Sequence, residues 1–367
     1  MNQAELKTRI DSCGHVIIKI GTATIRPHLN ATDDSFFTDL ANEVQKLHAA
    51  RKKVVIVSSG AVGLGRAVMQ QAGHLEKEKL LTVREKQALA SIGQGLLVTL
   101  YRKAFEKAGI VTSQVLVAKS DFQENGHYQN LKSTIEQLLG WGVVPVVNET
   151  DAVATDELKL GDNDTLSSHI AGIYSDSLLV LLTSIDGFYI DQKRVEHIEE
   201  ITREHFRHAG APSEGGIGGM FTKIKAARNI LLSGQVMVIA SGKEPGILSD
   251  IIRGESCGTW FYHSQKNRLV SKKRWILRNN HIRSSVTVDK GAERALTGQR
   301  ASLLMVGITA FSRNFEAGDI IEIQNEAGAV IAKGIASNDS KSLDAVISGK
   351  ATNVAGELVH IDNLVVL

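Results

Sequence analysis

The chain has 367 residues, 43% of them hydrophobic and 22% charged, which is the composition of a globular protein long enough for two domains. A formal net charge of +2 is too small to indicate nucleic-acid binding by itself, and two cysteines are too few for a disulfide framework. The N-terminus lacks a secretory pattern and no apolar run could span a membrane, so we expect a cytoplasmic protein without membrane association.

Short apolar runs alternate with helical patterns up to about residue 263. We predict strands at 16–20, 54–59, 143–148, 177–184 and 235–241, and helices at 36–50 and 165–174. The runs are apolar almost throughout, as is typical of strands covered on both faces. This alternation predicts an α/β fold with an open, three-layer, mostly parallel sheet.

Polar residues follow these apolar runs, and they point to one site. Lys19 comes late in the first run, Ser59 and Gly60 come at the end of the second, residues 148–151 at the end of the third, and Thr183 and Ser184 at the end of the fourth. In open parallel sheets, ligands bind beyond the carboxyl ends of the strands. The sequence therefore predicts that these residues face one crevice.

The segment GDNDT, residues 161–165, precedes a predicted helix. One of its Asp or Asn side chains is expected to cap that helix. The remaining acids could hold lysines or a magnesium–nucleotide complex. The segment lacks the spacing of a calcium-binding loop, and no histidine pair has metal-ligand spacing, so no protein-bound metal is predicted.

Four glycines between 215 and 219 precede Lys223 and a helical pattern that runs to Gly234. Glycine-rich segments that lead into a helix often bind phosphate, although this one lacks P-loop spacing and could also be only a flexible loop. Transfer of a phosphoryl group requires positive charge around its oxygens. Lys19 and Lys223 together would meet that requirement.

The charge and the pattern of apolar residues change after residue 263. Residues 264–283 hold seven Lys or Arg and no acid, which suggests an interdomain linker. Residues 284–367 hold seven basic and ten acidic residues, a net charge of −3, and contain short alternating runs. We therefore predict a small C-terminal β-rich barrel or sandwich.

The motifs, in their order, resemble those of the amino acid kinase family followed by a PUA domain. The kinase motifs are KIGTATI, VVIVSSGAVGLGR, VVPVVNETDAVAT, GDNDTLSSHIA, LLTSIDGFY and GGMFTKIKAA, and the PUA motifs are VTVDKGAERAL, SLLMVGI, AGDIIEI, IAKGI and LVHIDN. The resemblance implies a catalytic domain over 1–263, a basic linker over 264–283 and a PUA-like barrel over 284–367.

Within this family the motifs are most similar to those of members that act on glutamate. That similarity implies ATP-dependent phosphorylation of the L-glutamate γ-carboxylate to glutamyl 5-phosphate, the first step of proline biosynthesis. It further implies Mg²⁺ that arrives with ATP, feedback inhibition by proline, and a homodimer or homotetramer.

The resemblance also implies roles for individual residues. Lys19 and Lys223 would neutralise the transferring phosphoryl group, and Asp164 would hold both lysines. Ser59, Asp151 and Asn163 would bind glutamate. The ATP contacts would come from Lys19, Thr183, Ser184, Gly218, Gly219, Met220, Phe221, Thr222 and Lys223.

Three positions depart from the family pattern. Ser184 stands where the family often has Asp, Ile217 stands where it often has Thr, and Thr150 makes the usual NEND read NETD. The first two fall in segments expected to contact the nucleotide, so we expect them to affect nucleotide affinity more than the chemistry.

Two alternative functions fit parts of the sequence. One is another kinase of the same fold that acts on acetylglutamate, aspartate or a nucleotide, although the PUA-like tail argues against it. The other is an RNA-binding protein that uses the PUA-like domain and the basic linker. The net charge of −3 in the tail argues against RNA binding, which depends on phosphate neutralisation.

Overall fold

The computed structural model describes residues 3–25, 35–76, 79–118, 120–150, 162–210, 219–263, 276, 282, 284–299, 301–349 and 356–367. The chain divides into two compact units: Met1–Asp121 with Gly126–Arg268, and Phe122–Asn125 with Leu269–Leu367. Within the described ranges, every helix is too short or too polar to cross a lipid bilayer.

Up to residue 263, strands and helices alternate as the sequence predicts. The strands are β1 (His15–Ile20), β2 (Lys53–Ser58), β3 (Thr112–Val117), β4 (Val144–Glu149), β5 (Ser177–Thr183), β6 (Tyr189–Ile190), β7 (Lys193–Arg194), β8 (His197–Ile198), β9 (Val236–Ser241) and β10 (Gly258–Phe261). The helices are α1 (Gln3–Asp11), α2 (Thr22–Ile25), α3 (Ser35–Ala49), α4 (Ala61–Gln71), α5 (Val83–Lys107), α6 (Ser120–Gln123), α7 (Asn125–Gly140), α8 (Asn163–Ala171), α9 (Arg203–His208), α10 (Met220–Leu232) and α11 (Ile247–Arg253).

An eight-stranded sheet forms the centre of the first unit, in the order β3-β4-β2-β1-β5-β9-β10-β8. Neighbouring strands are parallel except β9 and β10, which are antiparallel. The prediction of a mostly parallel sheet is therefore confirmed. Strand β3 was not predicted because it lies at the edge of the sheet and its first three residues, Thr112, Ser113 and Gln114, are polar.

The two faces of the sheet bury different side chains. On β1, Val16, Ile18 and Ile20 belong to a core that also includes side chains of α1, α3, α5 and α11. Because strand side chains alternate, Ile17 and Lys19 point to the opposite face, against which α8 and α10 pack. Helices thus cover both faces, and Lys19 shares its face with the first turns of α8 and α10.

Helices α4 and α5 cross with almost no space between their backbones. A Cβ atom at Gly93 of α5 would lie 1.8 Å from the Ala61 carbonyl oxygen, and one at Gly65 of α4 would lie 1.9 Å from the Leu89 carbonyl oxygen. Only glycine permits this approach. The crossing fixes how α5 lies against the start of α4.

Gly93→Ala is expected to destabilise the protein by about 1–3 kcal/mol or more, because the new methyl group would force the two backbones apart. Gly95→Ala is the matched control, since a Cβ at Gly95 meets no atom within 4 Å. In a helix interior that change is expected to stabilise by up to about 1 kcal/mol. Urea unfolding measures the free energy of unfolding of both variants. Equal changes in the two variants would contradict the close crossing of α4 and α5.

The second unit is rich in β-structure. Its strands are β11 (Ser284–Val288), β12 (Leu303–Leu304), β13 (Ile308–Phe311), β14 (Ile320–Gln324), β15 (Val330–Ile335), β16 (Glu357–Val359) and β17 (Leu364–Val366), and two helices are α12 (Lys290–Gln299) and α13 (Ser340–Ile347). The strands form a five-stranded sheet, β13-β11-β14-β15-β17, and a β12–β16 pair. Val286, Ile321, Ile323 and Leu343 are fully buried in its core. The predicted linker, 264–283, lies outside the described residues except for 276 and 282.

Candidate active site

A buried cluster of three charges lies where β1, α8 and α10 meet. The Lys19 ammonium is 2.6 Å from Asp164 Oδ1, and the Lys223 ammonium is 3.0 Å from Asp164 Oδ2. Asp164 is fully buried, and the lysines are 6% and 7% exposed. The three residues, far apart in sequence, are thus brought together, and one carboxylate bridges two ammonium groups.

Local structure explains why each charge is held in place. Asp162 caps α8, its Oδ1 accepting a hydrogen bond of 2.6 Å from the Thr165 backbone N–H, so Asp164 lies in the first turn of that helix. Lys223 lies in the first turn of α10. Lys19 lies among the apolar residues 16–18 and 20 of β1, and the ion pair offsets the desolvation of its ammonium.

The Asp164 carboxyl is held ionised by its neighbours. Burial would raise its pKa, but the positive charges of Lys19 and Lys223 and hydrogen bonds to the carboxylate outweigh burial and lower the pKa to about 2. Thr222 contributes one of these bonds, with its hydroxyl donating to Asp164 Oδ2 over 2.7 Å. Two lysines and one carboxylate give the cluster a formal net charge of +1.

A chain of neutral polar side chains lies beside this cluster. Asn163, which directly precedes Asp164, donates from Nδ2 to Ser59 Oγ at 2.7 Å and to Asn148 Oδ1 at 3.1 Å. Asn148 in turn donates from its own Nδ2 to Gln94 Oε1 at 2.9 Å. The structure therefore joins Ser59 and Asn163, two of the residues predicted to bind glutamate, and adds the amides of Asn148 and Gln94.

The turn that carries Ser59 depends on its glycine. Strand β2 ends at Ser58, helix α4 begins at Ala61, and Gly60 between them has φ = 118°, in a region that favours glycine. The Ser59 backbone N–H also donates to the Ile20 carbonyl of β1 over 3.1 Å. These contacts hold Ser59 at the carboxyl end of the sheet, near the strand of Lys19.

Two sequence families match consecutive parts of the chain. Residues 15–241 match the amino acid kinase family, and residues 284–358 match the PUA domain. The first match covers more than half of the chain. The chain belongs to the amino acid kinase family.

The chain is also similar to individual members of this family over almost its whole length. It is 37% identical over 368 residues to the glutamate 5-kinase of Caldanaerobacter subterraneus subsp. tengcongensis, covering 96% of this chain and 97% of that protein. It is 36% identical over 384 residues to the glutamate 5-kinase of Moorella thermoacetica, covering all of both chains.

Among solved structures, the carbamate kinase of Giardia resembles the chain with a TM-score of 0.50 and 18% identity, covering 68% of this chain and 99% of the other. At that identity the similarity shows the fold alone. It agrees with the parallel sheet described above.

Other positions predicted from the amino acid kinase motifs lie at the end of β5 and at the start of α10. Thr183 is the last residue of β5, and its carbonyl accepts a hydrogen bond of 2.8 Å from the Gly242 backbone N–H after β9. Ser184 follows it and is exposed. Met220 begins α10, and the ring of Phe221 lies 5.3 Å from that of Phe206 on α9.

Asp151, Ile217 and Gly218 lie outside the described residues, and so do the first three of the four glycines at 215–219. Gly219 is described and directly precedes α10, with its backbone N–H donating to the Thr222 hydroxyl over 3.1 Å.

Sequence reasoning gave no role to two side chains of the polar cluster. Asn148 ends the third apolar run and is therefore among the residues expected at the carboxyl edge of the sheet, but no specific role was predicted for it. Gln94 lies in the middle of α5 with no motif around it, and the packing of that helix brings it to Asn148 of β4.

Proposed function

We propose that this protein transfers the γ-phosphoryl group of ATP to the γ-carboxylate of L-glutamate, giving glutamyl 5-phosphate for proline biosynthesis. The similarity to glutamate 5-kinases over almost the whole length of the chain carries this proposal. The cluster of Lys19, Asp164 and Lys223 supports it, because it supplies the positive charge that phosphoryl transfer requires.

The two lysines stabilise the phosphoryl group during its transfer. Each ammonium has three donors, and Asp164 engages only part of that capacity, so donors remain for the equatorial oxygens of the phosphoryl group. The N-terminal end of α10 adds a partial positive charge beside Lys223. Because Asp164 fixes both ammonium groups beforehand, little reorganisation is needed when charge develops.

The acceptor does not require a general base. A glutamate side chain has a pKa near 4.3, so its γ-carboxylate is ionised at neutral pH. One carboxylate oxygen forms the new bond to the γ-phosphorus, the bond to the bridging β-phosphate oxygen breaks, and ADP leaves with that electron pair. The lysines therefore serve as electrostatic groups and transfer no proton.

Magnesium is proposed to enter the site with ATP. Both oxygens of Asp164 face ammonium groups, so this carboxylate fits the role of a lysine anchor better than that of a metal ligand. The ATP phosphates would hold the ion, and it would neutralise part of their charge.

Glutamate is proposed to bind beside the charged cluster through Ser59, Asn163 and Asp151. The Ser59 hydroxyl and the Asn163 amide suit a carboxylate and an ammonium group, and Asn163 adjoins Asp164 in the chain. ATP is proposed to contact Thr183, Ser184 and the start of α10. These assignments rest on the positions that match the family motifs.

A substrate panel tests the proposed function. Purified protein with ATP and Mg²⁺ is expected to release ADP with L-glutamate, and to release far less with L-aspartate, N-acetyl-L-glutamate, carbamate or UMP. The coupled ADP assay with each acceptor at equal concentration measures this preference. Higher turnover with any other acceptor, or no turnover with L-glutamate from folded protein, would refute it.

Further properties are proposed on the same family resemblance. They are inhibition by proline, a homodimer or homotetramer, a cytoplasmic location, and a domain division into 1–263, a linker over 264–283 and 284–367. The matches at 15–241 and 284–358 support that division. Titration of proline into the ADP assay and light scattering of the purified protein test the first two.

A further inference from the structure

Gln94 ends the chain of polar side chains that leads away from Ser59. Its Oε1 accepts the hydrogen bond from Asn148 Nδ2 at 2.9 Å, while its Nε2 is buried and has no partner among the described residues. Asn148 itself is 2% exposed, so a hydrogen bond lost from its amide cannot be replaced by bulk water.

The direction of each hydrogen bond follows from the one before it. Because Gln94 Oε1 accepts from Asn148 Nδ2, the Asn148 Oδ1 faces Asn163 and accepts from its Nδ2. The second hydrogen of that Nδ2 then goes to Ser59 Oγ. Within the described residues, this leaves the Ser59 hydroxyl hydrogen and the Asn163 Oδ1 without partners.

The cluster thus offers one donor and one acceptor side by side. A hydroxyl donor suits a substrate carboxylate, and an amide oxygen suits an ammonium group. The pattern matches an α-amino acid, which carries both groups. If the Asn163 amide were reversed, its Oδ1 would take up the Ser59 hydroxyl hydrogen, and this donor would be lost.

We infer that Gln94 is a positioning residue for the amino-acid substrate: it fixes the Asn148 amide and, through it, the Asn163 amide, so that the Ser59 hydroxyl remains a donor. This inference rests on the proposed function, since it concerns the same substrate. Gln94 does not need to touch the substrate, because its effect passes through Asn148.

The packing of α5 fixes the position of Gln94. It directly follows Gly93, the residue at which the backbones of α4 and α5 approach most closely. Two turns further along α5, the Tyr101 hydroxyl lies 2.8 Å from the hydroxyl of Ser58, the residue that directly precedes Ser59. Helix α5 therefore contacts the ends of both β2 and β4 through polar side chains.

Gln94→Met tests the inference, because methionine keeps the length of the side chain and removes the acceptor for Asn148. KM for L-glutamate is expected to rise about tenfold, the effect of one buried hydrogen bond, while kcat and KM for ATP stay near their wild-type values. Gln94→Ala removes the same acceptor with a different change of volume. An increase shared by both variants therefore comes from the hydrogen bond and not from packing.

A double-mutant cycle separates positioning from direct contact. Since Gln94 acts through Asn148, Gln94→Met added to Asn148→Ala is expected to raise KM for L-glutamate little beyond Asn148→Ala alone. Gln137→Met, an exposed glutamine on α7, is the control for the substitution itself and is expected to change neither KM. Melting temperature with and without ATP checks that each variant is folded.

The outcomes distinguish this inference from the proposed function. An unchanged KM for L-glutamate in both Gln94 variants, or effects that add fully in the cycle, would overturn the positioning role while the wild-type activity stands. Absence of L-glutamate turnover in the wild-type protein would overturn the proposed function, and the inference with it.

Discussion

Lys223→Met is expected to lower kcat for glutamate phosphorylation by about 10²- to 10³-fold and to change KM for L-glutamate little. The reason is that the buried Lys223 ammonium faces the site through which the phosphoryl group is proposed to pass, so its charge matters most in the transition state. Ser59 and Asn163, which are proposed to bind glutamate, belong to the neighbouring polar cluster and keep their contacts. Steady-state kinetics with each substrate varied in turn measures the effect on kcat separately from the effect on KM.

The matched control is Lys103→Met, which removes an exposed lysine from α5. Its kcat is expected to equal that of the wild type. If Lys223→Met retained full turnover, or if it raised only KM for L-glutamate, the role assigned to Lys223 would be wrong.

Asp164→Asn is expected to remove most of the activity and to destabilise the fold by roughly 3–5 kcal/mol. The substitution leaves two buried ammonium groups without a counter-charge. A buried charge that loses its partner strongly destabilises the folded state. ATP is expected to raise the melting temperature of the variant more than that of the wild type, because its phosphates can take the place of the lost carboxylate. Thermal unfolding with and without ATP measures both effects.

Asp162→Asn is the control for stability in the same turn. Asparagine caps helices as well as aspartate does, so the fold should lose little. Burial and the nearby Asp164 charge also raise the pKa of Asp162, so its negative charge adds little stability. Equal destabilisation by the two substitutions would contradict the special position of Asp164.

The pH dependence of stability follows from the direction of the Asp164 shift. Its pKa is about 2 in the folded protein, below the usual value of 3.8, so its contribution to stability is present above about pH 4 and is lost as the pH falls toward 2. The difference in unfolding free energy between wild type and Asp164→Asn should be constant from about pH 5 to 8 and shrink below about pH 4. Urea unfolding at a series of pH values checks this.

The central part of the fold could be predicted because its strands are buried on both faces. Continuous apolar runs located β1, β2, β4, β5 and β9 to within one residue at each end. Strand β3 escaped this reasoning, since an edge strand keeps polar residues and lacks the apolar run.

The site could be predicted in part for a similar physical reason. Parallel strands bring their carboxyl ends together, and from the sequence alone this rule indicates Lys19 and Ser59. The contact of Gln94 with Asn148 joins helix α5 to strand β4 through tertiary packing, and no local pattern encodes it. The bridge from Thr222 to Asp164 is another contact that only packing reveals.

The most direct test of the proposed reaction is to trap its product with hydroxylamine. An acyl phosphate reacts with hydroxylamine, so protein incubated with ATP, Mg²⁺, L-glutamate and hydroxylamine should form γ-glutamyl hydroxamate, identified by mass spectrometry, in equal amount to ADP. ADP release without hydroxamate, or a hydroxamate on the α-carboxylate, would contradict transfer to the γ-carboxylate.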